Sequence, residues 1–164
     1  MKRIAFAVVS VIVSTFGPQA LAAPAGASCA AAIHLFSDTS YTSDTTGTTN
    51  WMTSFGPLVS PSNDQLYEFT AGPPPLGTIT PTASSYQFAM YLIPSCADSG
   101  TEPSPIKATS TVGTPIDLST GITQGAQYYL AVTGIAAGGA GANGTVSFVN
   151  GGFLPVALQT FTVE

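Results

Sequence analysis

In residues 85–93 the large apolar side chains fall at every second position: Tyr86, Phe88, Met90 and Leu92 share one parity, and no helix-period partner accompanies them. A strand turns successive side chains to opposite faces, so this spacing commits the segment to a sheet with one face in a core. Three further segments obey the same rule. Tyr67 and Phe69 alternate with Leu66, Glu68 and Thr70; Tyr128, Leu130 and Val132 share the inner parity of residues 126–133; Val146 and Phe148 do so in residues 144–149. Residues 76–82, 109–112 and 116–118 alternate more weakly. Breaks at Gly72-Pro73-Pro74-Pro75, at Pro94, at Thr123-Gln124-Gly125 and at Asn150-Gly151-Gly152 keep the strands short. About eight such strands and no convincing amphipathic helix predict an all-β fold, an antiparallel β-sandwich of jelly-roll type, with a small closed barrel as the runner-up.

The stretches between carry less information. Residues 23–28 read as a flexible leader, residues 29–36 as an apolar piece of undecided type, and residues 37–50 as an exposed loop or an edge strand. The Gly/Ala tract of residues 134–144 reads as a mobile loop, and residues 153–164 as a last strand or a C-terminal tail. Only 7% of the chain is charged, against about 25% in an ordinary globular protein, and 22 Thr with 17 Ser supply the polar surface. Hydroxyl-bearing, β-branched Thr suits a pleated sheet. A content of 45% hydrophobic and 10% aromatic residues argues against disorder.

Residues 1–22 have the layout of an export signal: Lys2 and Arg3, an apolar run over residues 4–13, then Ala20-Leu21-Ala22 as a small-residue cleavage site. That run is too short to span a bilayer, which takes about 20 apolar residues. The expectation is one secreted domain, residues 23–164, in the periplasm or outside the cell and without membrane insertion. Lys107 is then its one Lys or Arg against eight acids, which excludes nucleic acid as a partner. Cys29 and Cys96, an even pair in an oxidising compartment, are expected to form a disulfide.

For catalysis the sequence offers His34 alone, without a nucleophile elbow or a metalloprotease motif, so no enzyme is expected. Asp64 and Glu68 share a strand face and are the conceivable pair for a glycosidase; the plainer reading is a turn residue and a solvated one. Asp38, Asp44, Asp64 and Glu68 are hard oxygen donors, but they lack a calcium-loop spacing, and no metal or cofactor is assigned. Asn143-Gly144-Thr145 reads as a turn. Tyr41 and Trp51, aromatics in polar segments, are the candidate ligand-binding residues, because rings stack on sugars or fill partner pockets at small entropic cost. Trp51, beside Met52 and near Phe55, serves equally as a lid on the core.

Ser28-Cys29-Ala30-Ala31-Ala32-Ile33, Asp44-Thr45-Thr46-Gly47 and the run from Asn63 to Thr70 recur, in this order, in a known pattern. So do Met90-Tyr91-Leu92 with Cys96, and Gly125-Ala126-Gln127-Tyr128-Tyr129. Together they resemble the bacterial pre-peptidase C-terminal domain, over roughly residues 28–149. The resemblance implies a jelly-roll-like sandwich and an accessory role in secretion, attachment or adhesion, with no catalytic residues to carry over; a module standing without a catalytic domain is the expectation for these residues. The ending, with Pro155, Val156, Leu158 and Phe161, resembles a segment that recurs near the C-termini of secreted bacterial proteins. The expectation is a non-catalytic module that binds a protein, a glycan or a cell surface. The alternatives are a fibre subunit assembled by strand addition or self-association through residues 153–164, and a small secreted hydrolase acting through His34 or Glu68.

Overall fold

The computed structural model describes residues 25–50, 52–60, 62–135 and 143–152. Residues 1–22, expected to be an export signal, Trp51, most of the Gly/Ala tract and residues 153–164 lie outside them. The described residues form twelve strands: β1 (Ile33–His34), β2 (Thr39–Asp44), β3 (Ser54–Phe55), β4 (Leu58–Val59), β5 (Asp64–Thr70), β6 (Thr78–Ser84), β7 (Phe88–Ile93), β8 (Thr101–Glu102), β9 (Lys107–Thr109), β10 (Ile116–Asp117), β11 (Gln127–Gly134) and β12 (Thr145–Gly151). The one helical element among the described residues is a 3-10 turn, Cys29–Ala31. Five of the strands hold two residues each, too few to show a period, which is why the sequence yields about eight.

Two sheets stack as a sandwich. One has the order β1-β5-β11-β7-β9 and the other β10-β6-β12-β2. Pairing is antiparallel except for the short contacts β1–β5 and β3–β8, which are parallel. The chain passes repeatedly from one sheet to the other, the crossover pattern of a jelly-roll-like sandwich. The alternating residues meet between the layers: Tyr67, Phe69, Phe88, Met90, Leu92, Tyr128, Leu130 and Val132 from one sheet, Ile79, Ile116, Val146 and Phe148 from the other. Each large side chain removed from water here stabilises the fold by roughly 1.5–3 kcal/mol.

A third, smaller sheet, β4-β3-β8, roofs part of the outer face of the five-stranded sheet. Met52 and Phe55, both fully buried, sit on Leu66, Ile93 and Ala131, the opposite parity of β5, β7 and β11. Under the roof, three strands are thus buried on both faces. A buried carboxylate fastens the roof: Asp64 accepts from the Met52 amide at 3.0 Å and from Ser60 Oγ at 3.2 Å, and Ser60 also bonds Thr133 Oγ1 at 2.8 Å.

Two expectations change. Residues 25–28 are not a loose leader: Leu66 N–H donates to Gly26 O at 2.8 Å, and the Ser28 hydroxyl caps the 3-10 turn. Gly26 has φ +79°, and a Cβ there would lie 2.6 Å from Gln65 Cγ, so this close approach demands glycine. Residues 29–36 resolve into that turn and β1. The Cys29–Cys96 disulfide is formed, with Cα atoms 5.7 Å apart, and ties the turn to the loop after β7. No helix among the described residues is long and apolar enough to cross a membrane.

Candidate functional site

Where the roof stops, the outer face of the five-stranded sheet is open. The strand register brings His34 of β1 opposite Glu68 of β5, and Glu68 opposite Tyr129 of β11. Gln127 precedes Tyr129 by two residues and therefore points the same way. The Glu68 carboxylate lies between the two: His34 Nδ1 is 3.9 Å from Oε1, and Gln127 Nε2 donates to Oε2 at 2.5 Å. The Tyr129 phenol is pushed above its ordinary value, first by desolvation and then by the charges of Glu68 and Asp98.

Phe36 completes the patch. Its ring is 60% exposed and meets the His34 ring edge-on, with centroids 5.0 Å apart. Its backbone is held by the other sheet: the Phe36 amide donates to the Tyr41 hydroxyl at 2.6 Å, and Asn150 Nδ2 donates to the Phe36 carbonyl at 2.8 Å. The backbone that carries this exposed apolar ring is thereby held before any ligand arrives, which spares part of the ordering cost of binding. Chemically the patch is an aromatic pair beside a carboxylate–carboxamide pair, on a surface rather than in a cleft.

The sequence candidates fare differently. Tyr41 turns inward from β2 and stacks on Phe148 at 5.3 Å, with its hydroxyl engaged by Phe36; it supports the patch without offering a free ring. Trp51 lies outside the described residues. His34 and Glu68, far apart in sequence, are brought together, whereas Asp64 and Glu68 are not a glycosidase pair. They stand four residues apart on one strand, roughly 13 Å, beyond the 5–9.5 Å such chemistry uses, and Asp64 is buried in the roof clamp.

The acids weighed for calcium scatter as well. Asp38 is an exposed residue at φ +54°, while Asp44 caps its own turn through the Thr46 amide and hydroxyl, which hold its carboxyl below the usual range. Among the described residues, one group of Cys, His or acid is close enough to share an ion: Cys29, Cys96 and Glu102. Sequence reasoning missed Phe36 and Gln127 as surface residues. The parity of Gln127, opposite to that of Tyr128, Leu130 and Val132, was the available signal, and nothing in a two-residue strand announced Phe36. No protein-family model, curated protein or solved structure matches this chain.

Proposed function

We propose that this chain is an exported, non-catalytic binding module, and that its ligand, a surface glycan, seats on Phe36, His34, Glu68 and Gln127. The observation that carries this reading is the exposed Phe36 ring, pinned through its backbone by Tyr41 and Asn150. An exposed ring on a held backbone gives a sugar's apolar face something to stack on, and the adjoining carboxylate and carboxamide offer an acceptor and a donor for its hydroxyls. The disulfide supports an oxidising compartment, and the two-layer sandwich is of the kind that the resemblance to the pre-peptidase C-terminal domain implies.

The test is binding of the purified chain to a glycan array. Phe36→Ala abolishes the signal and Glu68→Gln weakens it, both with unchanged circular dichroism. Array binding that survives Phe36→Ala, or no binding to any glycan, sinks the reading.

A catalytic reading starts from the His34–Glu68 contact. Their side chains are 53% and 28% exposed, so water screens the pair, and strong acid–base tuning needs a drier site. Hydrolysis of a peptide or glycan panel that is lost on His34→Ala would favour it.

A further inference from the structure

The Cys29–Cys96 bridge has an unusual neighbour. Glu102 of β8 is 1% exposed, placed there by the parallel pairing of Phe55 with Glu102 and by the Gly56 amide on its carbonyl at 2.7 Å. Its Oε2 accepts from the Ala97 amide at 2.9 Å, while its Oε1 is buried with no hydrogen-bond partner. A carboxylate oxygen in that position costs free energy, because it has left water without gaining a donor. The two sulfurs and a Glu102 oxygen all lie within 4.8 Å of one another.

We propose that reduction of this disulfide opens a metal site of two thiolates and one carboxylate, for a soft divalent ion such as zinc. A dithiol donor supplies two electrons and two protons: the S–S bond breaks, Cys29 and Cys96 become thiols, and the donor's own sulfurs join. The incoming cation then displaces both thiol protons. Two thiolates and a carboxylate brought together repel one another; a divalent cation offsets that repulsion and gives the orphaned Oε1 its partner. Zinc takes sulfur at about 2.3 Å, which sets the two sulfurs about 3.8 Å apart in a tetrahedral site. A Cα separation of 5.7 Å permits that by side-chain rotation. Both cysteines are half-buried, so solvent can supply the fourth ligand. The site is independent of the aromatic patch.

The test reduces the purified chain with a phosphine, removes the reagent without oxygen and titrates with Co2+, then Zn2+. The expected result is one equivalent of cobalt with a thiolate-to-metal absorption band, displaced by zinc and missing from the oxidised chain. Glu102→Gln still accepts from the Ala97 amide, and it weakens affinity by about tenfold or more while altering the cobalt spectrum. Should reduction unfold the chain, metal is expected to restore the strand signal in circular dichroism. Failure of reduced, folded protein to take up cobalt, failure of metal to refold it, or a Glu102→Gln titration matching the native one overturns the proposal.

Discussion

The two faces of the five-stranded sheet are closed by different physics. The inner face meets a second sheet through long strands, and its contacts are alternating aromatic and aliphatic side chains from end to end. The outer face is covered only in part, by three two-residue strands that bring Met52 and Phe55 and hold on through the buried Asp64 carboxylate. Beyond them it is bare, and there it carries His34, Phe36, Glu68 and Gln127. Extensive apolar area needs no particular donor or acceptor, whereas a small roof must be fastened by specific polar contacts and leaves room beside it for a surface with another use.

Four measurements break or sharpen that contrast. Phe148→Ala, at the centre of the inner layer, is expected to cost about 3–5 kcal/mol in denaturant unfolding; a loss below about 1 kcal/mol would deny the inner core its primacy. Next is alkaline sensitivity. Burial pushes the Tyr67 phenol up to about 12 in the folded chain from an ordinary 10. A raised value means stability fully present below pH 10 and lost as pH climbs through 12, roughly 3 kcal/mol in all. Melts from pH 9 to 12 should fall steeply, and less so in Tyr67→Phe.

Asp64→Ala is expected to cost about 2 kcal/mol by stripping the Met52 amide and Ser60 of their acceptor. Amide hydrogen exchange should then quicken at residues 52–60 well before β7 or β11; uniform acceleration would show that roof and sandwich open as one unit. Smallest of all, Phe36→Ala should move stability by less than about 0.5 kcal/mol, since its ring is already in water. A larger loss would make Phe36 a structural residue.

The inner face was legible in the sequence because its strands are six to eight residues long, enough for Tyr86, Phe88, Met90 and Leu92 or Tyr128, Leu130 and Val132 to declare a period. The disulfide was legible from parity and compartment. The roof was not: Ser54–Phe55, Leu58–Val59 and Thr101–Glu102 are two-residue strands, and their pairing follows from tertiary contact rather than from local pattern. The stacking of Tyr41 on Phe148 was not legible from its Thr- and Ser-rich surroundings, because the contact joins β2 to β12. The patch depends on a parallel two-residue register between β1 and β5, which joins His34 to Glu68, and no spacing along the chain encodes that.

The strand order of the four-stranded sheet also bears on the life of the polypeptide before it is folded. β12, late in the sequence, lies in the interior of its sheet between β6 and β2. That layer therefore cannot close until residues 145–151 are available, and its contacts span most of the chain. Such long-range pairing forms slowly. Until then β6 and β2 lack the strand that joins them, and the apolar face of the five-stranded sheet waits for the layer that covers it.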